Sequence, residues 1–335
     1  MLPMWKGRRL ARIFVRYLLP MAIILLVGWY FARILRQPEL REVSFACRVE
    51  WLLPAALLYL IAHSIWACFW VILLRNQGFH ASYPTGLRAY FISQYGKYIP
   101  GKVWVILIRV VMLGASPKDK RIVGVTATYE TLTSMAAGAI LGAILIPALN
   151  IDLSEFGVKN HTLFIVAAVP IGIGLVHRLI VGIARRKAGP DGPPIRNMNL
   201  LVLARGFVQA ASGWFLLGLS LWMTMQAVRP EPVTFTWDDL LRLTAVISFA
   251  YVLGFIALFL PGGAGLREFA LATLLARELV TTMPQPIALG LSVVIALILR
   301  LIWTAVEVIV AVTLYYWIPA VKRPHLATVD AELLE

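Results

Sequence analysis

Residues 94–104 read Gln94-Tyr95-Gly96-Lys97-Tyr98-Ile99-Pro100-Gly101-Lys102-Val103-Trp104, and residues 260–268 read Leu260-Pro261-Gly262-Gly263-Ala264-Gly265-Leu266-Arg267-Glu268. Each run interrupts a longer apolar stretch, 87–113 in the first case and 240–279 in the second. Proline has no amide N–H to continue a helix, and glycine tolerates the backbone angles of a tight turn. Each stretch therefore reads as two short helical pieces on either side of a break. At membrane depth such a break survives only where it is buried in protein or lines a wet cavity.

Composition places the breaks in a membrane. Of 335 residues, 60% are hydrophobic and only 14% charged, against about 25% charged in an ordinary soluble domain. The mean hydropathy is +0.80. A soluble domain of this size cannot cover so much apolar surface. That sets aside soluble enzymes, disordered tails and nucleic-acid binders, although a net charge of +14 would suggest nucleic acid in a soluble chain. Cys47 and Cys68 supply no disulfide framework, and the five histidines are dispersed. No metal or other cofactor is therefore expected. The basic start (Lys6, Arg8, Arg9, Arg12, Arg16) leads into an apolar stretch without a small-residue cleavage site, so the first helix reads as uncleaved.

A bilayer core about 30 Å thick needs about 20 apolar residues in a helix. Stretches 13–35, 51–74, 122–149, 163–184, 200–228 and 287–317 meet that length. With the two broken segments they repeat at an offset of roughly 150–165 residues, and matching interruptions in two halves point to a transporter site. The expected fold is an all-α polytopic membrane protein with one transmembrane domain over 1–335. It divides into two inverted repeats, 1–150 and 151–320, and a short cytoplasmic tail, 321–335. Each repeat holds three spanning helices and a re-entrant hairpin broken at Pro-Gly. Two full crossings at each break, in place of a hairpin, would leave the parity unchanged; ordinary kinked helices are a further competing reading.

Orientation follows from the excess of Lys and Arg in cytoplasmic loops. With both termini inside, the inner segments carry the N-terminal group, Arg75, Arg88, Lys118, Lys120, Arg121, Arg185, Arg186, Lys187, Arg196, Lys322 and Arg323. The outer segments carry only Arg36, Arg41, Arg48, Lys159, Arg229 and Arg277. This predicts a multi-pass membrane protein with both termini on the cytoplasmic side. Arg33, Arg178 and Arg205 lie near helix ends, from which they can snorkel to the interface.

Lys97, Lys102, Arg109, Arg242, Arg267 and Arg300 remain within or at the edge of apolar segments, with only Glu130, Glu268 and Glu307 for company. A cation at the bilayer centre costs about 2.5–3.5 kcal/mol on insertion scales. The acids can neutralise half of them, and the surplus suits a bound anion such as a phosphate. Glycine-rich turns that open helices add free N–H groups and a positive dipole end. Lys102 and Arg109 share a helix face, as do Arg300 and Glu307. Competing readings are structural. Glu268 could simply neutralise Arg267, Arg242 fits an interfacial role, and Gly138 with Gly142 fits helix packing. Gly172-Ile173-Gly174 precedes no βαβ unit, and the tryptophans suit interfaces. Asp238-Asp239 could belong to a metal-dependent transferase, or be solvated residues at a helix start.

The run Gln94–Trp104 with Arg109 downstream, and the run Pro261–Glu268, resemble the lysylphosphatidylglycerol synthase transmembrane-region family. That flippase-like family includes small stand-alone inner-membrane proteins and the flippase half of the multiple peptide resistance factor. The resemblance covers nearly the whole chain. It implies a polytopic helical fold, lipid translocation, and lipid-handling roles for Lys97, Pro100, Gly101, Lys102, Arg109, Pro261, Gly262, Gly263, Gly265, Arg267 and Glu268. Bifunctional members carry a large soluble domain for aminoacyl transfer. Only a short tail is expected here after about Trp317, so no such chemistry is expected.

Together these readings predict a carrier for a lipid with an anionic headgroup, and not an enzyme. Its substrate-binding set is Lys97, Tyr98, Pro100, Gly101, Lys102, Arg109, Glu130, Pro261, Gly262, Gly263, Gly265, Arg267, Glu268, Arg300 and Glu307. Expected partners are the membrane lipid and either a second copy of the chain or a lipid-synthesis enzyme. An intramembrane transferase acting on a lipid phosphate, or a non-catalytic member of a lipid-synthesis complex, are the alternatives.

Overall fold

The computed structural model describes residues 19–40, 48–99, 103–116, 119–153, 156, 182, 200–229, 231–257 and 260–319. The expected crossing at 163–184, the tip residues Pro100, Gly101 and Lys102, and the tail 321–335 lie outside these. The described elements are α1 (Leu19–Leu35), α2 (Val49–Asn76), α3 (Tyr83–Ser93), α4 (Val103–Met112), α5 (Lys120–Ala148), α6 (Leu200–Val228), α7 (Trp237–Ile256), α8 (Leu266–Val280) and α9 (Gln285–Trp317). A 3-10 turn over Gln94–Tyr98 separates α3 from α4, and another over Pro261–Gly263 separates α7 from α8.

Five of these helices (α2, α5, α6, α7 and α9) are long and apolar enough to cross a membrane. Four correspond to stretches expected from sequence. The fifth, α7, was expected to be a short piece before the second break. It has 20 residues, about 30 Å of helix, because its start lies upstream of the apolar run. Thr236 accepts a hydrogen bond from the Asp239 amide at 3.1 Å, and Asp239 accepts one from the Thr236 amide at 3.0 Å. This reciprocal cap satisfies two amides that have no partner within the helix. Thr236→Ala should lower stability by about 1 kcal/mol, seen as a small drop in the thermal midpoint of the detergent-solubilised protein.

α2 packs along α6, and α5 and α7 lie against α6. Small residues allow these close approaches. A β-carbon on Gly138 of α5 would stand 2.6 Å from the Trp214 ring of α6, and one on Gly142 would stand 3.4 Å from Ser248 Oγ of α7. This is the packing role read for that pair. Leu25, Leu26 and Trp29 of α1 and Leu301 and Ile309 of α9 are exposed, as surfaces that face lipid would be.

Both broken segments fold back on themselves. In the first, Arg109 of α4 lies beside Tyr90 and Ser93 of α3, and Gly96 abuts Trp104 and Val105. In the second, Arg242 of α7 reaches Glu278 of α8, and Tyr251 stacks under Arg267. The paired residue numbers rise on one arm as they fall on the other, so each segment is an antiparallel hairpin. The arms differ in length. α3 and α4 have 11 and 10 residues, about 15 Å each and half a bilayer core. α7 and α8 have 20 and 15.

α9 sets the two hairpins end to end. It leaves the base of the second hairpin just after α8, passes the second tip at Arg300 and the first tip at Glu307, and reaches α3 where Tyr315 meets Arg88. The hairpins therefore point at each other, and their 3-10 turns touch. Four segments expected on one face of the membrane also lie together. Arg242 donates to the Leu149 carbonyl at 3.2 Å, and Arg277 pairs with Asp152. Arg48 donates to the carbonyls of Gln226 and Arg229, at 2.9 and 3.2 Å.

Candidate functional site: the junction of two hairpin tips

The second tip needs glycine. Gly262, Gly263 and Gly265 have φ of +59, +68 and +86°, left-handed values that side chains resist. The turn reverses the chain within a few residues and starts α8 at Leu266. Glu268 then reaches back, and its Oε2 accepts from the Gly265 amide at 2.8 Å. A β-carbon on Gly262 would stand 3.5 Å from Arg300 Nη2 and 3.8 Å from the Lys97 carbonyl oxygen. The second tip thus lies against the first, at van der Waals distance.

Charges gather at this contact. Lys97, from the first tip, pairs with Glu307 of α9. Glu307 also accepts from the hydroxyl of Tyr59, and its Oε2 accepts from Tyr98 Oη at 3.0 Å. Arg267 donates from Nη2 and Nε to Glu268 Oε1, at 2.7 and 3.1 Å. Arg300 Nη1 approaches the same oxygen at 3.8 Å. Arg300 and Glu307 are two helical turns apart on one face of α9. They do not pair with each other: each reaches a different hairpin. The Lys97 and Arg300 side chains are the more open members, at 23% and 19% exposed, against 4% for Glu307.

Aromatic rings close around the cations. The Arg267 guanidinium lies 4.3 Å from the Tyr251 ring centroid, and those of Arg300 and Lys97 lie 5.2 and 5.3 Å from Tyr98. Such contacts hold a cation without neutralising it. Beside them runs a closed circuit of ring contacts through Tyr59, His63, Trp66, Trp214, Tyr251 and Trp303. Four helices supply it, so the junction stands on a rigid base.

Among the described site residues, Lys97, Tyr98, Gly262, Arg267, Glu268, Arg300 and Glu307 converge, with Pro261, Gly263 and Gly265 shaping the tip. Pro100, Gly101 and Lys102 lie outside the described residues. Arg109 and Glu130 form a pair of their own. Their side chains are 1% and 4% exposed and meet at 2.9 Å. Arg109 also donates to Ser93 Oγ at 3.2 Å and sits between the rings of Trp70 and Tyr90. Neither hydrogen-bonds or ion-pairs with the junction charges. That geometry locks α4 to α5.

Arg242 holds the interfacial place read for it, 32% exposed and paired with Asp238 at 2.6 Å. Asp238 pairs with Arg242, and Asp239 caps the start of α7, as the helix-start reading of that pair expected. Arg88, assigned from sequence to a solvated inner segment, is instead buried within α3. Tyr59, Tyr251 and Thr304 were not singled out, though Tyr98 Oη lies 3.4 Å from Thr304 Oγ1. A signal for Tyr59 exists in α2: Tyr59, His63, Trp66 and Trp70 recur every three or four residues, one polar-aromatic stripe on an otherwise apolar helix.

The sequence from residue 17 to 314 matches the family model described as the lysylphosphatidylglycerol synthase TM region. No curated protein matches the chain.

Proposed function

The chain belongs to the lysylphosphatidylglycerol synthase transmembrane-region family, a lipid-related membrane family, and on that premise we propose that it carries a lipid with a phosphate-containing headgroup across the cytoplasmic membrane. The observation that carries this reading is the charge at the junction. Among the described residues, Lys97, Arg267 and Arg300 face only Glu268 and Glu307, which leaves one positive charge over. A phosphodiester supplies the missing negative charge. Lys97 and Arg300, the more open cations, would meet the phosphate first, with Glu307 and Glu268 holding them when the site is empty. The acyl or prenyl tails would stay in the bilayer.

Two hairpins that meet tip to tip suit alternating access, in which repeats related by inversion rock about a fixed midplane site. In this reading both termini are cytoplasmic and the chain is a carrier, not an enzyme. No ATP-binding motif occurs in the sequence, so a gradient or mass action would drive it.

The test is translocation of fluorescent phospholipids in liposomes holding the full chain. Lys97→Gln and Arg300→Gln should each slow transport of a phosphate-bearing lipid about tenfold, the loss of one charge-assisted hydrogen bond, with helical content unchanged. Translocation equal to that of empty liposomes for every lipid class would end this reading. Activity that appears only with a copurified synthase would favour the complex-partner alternative.

A further inference from the structure

Arg88 lies on α3 and is 4% exposed. Among the described residues no carboxylate pairs with it, and its Nε is buried without a hydrogen-bond partner. Its guanidinium lies 5.4 Å from the Tyr315 ring centroid. The buried cations Arg109 and Arg267, and the half-buried Lys97 and Arg300, all face a carboxylate. Arginine cannot shed its proton to relieve burial, and an unpaired buried ion is strongly unfavourable. The described residues therefore leave an open valence for an anion at this point.

The depth of Arg88 indicates which anion. Tyr315, Tyr316 and Trp317 close α9 at 52, 77 and 83% exposure, the amphipathic aromatics of a membrane interface, where headgroups lie. Glu307 is eight residues back along α9, about 12 Å. Arg88 thus stands between headgroup level and the hairpin junction, on an arm of the first hairpin.

We propose that Arg88 is a separate binding station for the phosphate of a lipid headgroup, filled before that headgroup reaches Lys97 and Arg300. The proposal deepens the carrier reading and rests on it for the second step, but binding at Arg88 is measurable without transport.

The experiment titrates the purified full chain, in detergent, with dihexanoyl-phosphatidylglycerol and separately with inorganic phosphate, and records binding heat and thermal midpoint. Arg88→Met should weaken lipid binding about tenfold. Arg88→Lys, which keeps the charge but loses the planar fork, should fall between. Ligand-free Arg88→Met should melt no lower than wild type, because an unpaired buried charge has been removed, and its lipid-induced rise in midpoint should shrink. Unchanged lipid affinity in both variants would overturn the proposal. So would an Arg88→Met protein that fails to fold or melts lower, which would make the residue structural. Inorganic phosphate binding as tightly as the lipid would overturn the assignment to a headgroup. Binding that depends on Arg88 in a protein that moves no lipid would sustain the station and reject the carrier.

Discussion

Glu130→Ala should destabilise the protein by about 3–5 kcal/mol, the cost of leaving a buried partner charge uncompensated. Arg109 is 1% exposed, has Ser93 as its other polar contact, and cannot reach water without opening the α4–α5 contact. The rings of Trp70 and Tyr90 soften the loss without replacing a carboxylate. The double change Arg109→Met with Glu130→Leu should recover most of the stability, since an apolar pair of similar volume often replaces a buried ion pair at little cost. Thermal or denaturant unfolding of the four variants in a double-mutant cycle measures this. Near-additive losses would mean that the two side chains do not depend on each other.

Glu307→Gln should have the next largest effect, about 1–3 kcal/mol, because charged and hydroxyl donors lose a buried acceptor. Tyr59, Lys97 and Tyr98 all donate to this one carboxylate. The loss is smaller than at Glu130 because the Lys97 side chain is 23% exposed and can take up water. The same change should tighten binding of a phosphate-bearing lipid about tenfold, since Lys97 no longer has an internal counter-ion to give up. It should also slow net translocation, because release becomes harder. Lipid titration of the variant checks this. Weaker binding would show that Glu307 touches the headgroup itself.

The contrast between these two glutamates marks what was legible beforehand. Both are single acids in apolar helices, and both were expected near an anion. Partner choice depends on where other helices fall. Glu130 faces Arg109 across the α4–α5 contact, and Glu307 faces Lys97 across a gap bridged by α9. Arg300 and Glu307 share a face, as the spacing required, yet that spacing says nothing of which hairpin each would reach. Arg88 shows the limit most sharply. Its position near apolar residues and beside a loop read as inner-face charge, and only the packing of α3 against α9 shows it to be buried.

From sequence alone come the membrane setting, the helices at 51–74, 122–149, 200–228 and 287–317, and the two breaks. These depend on local chemistry: apolar run length, the missing amide of proline and the freedom of glycine. Tertiary structure decided that both breaks are antiparallel hairpins, that their tips meet, and that α9 carries one charge to each. It also separated the buried Arg109–Glu130 pair from the junction. Electrostatic pairing falls off over a few ångströms, whereas these partners are separated by 21 to 210 residues of chain. Only the folded arrangement of helices brings them within reach.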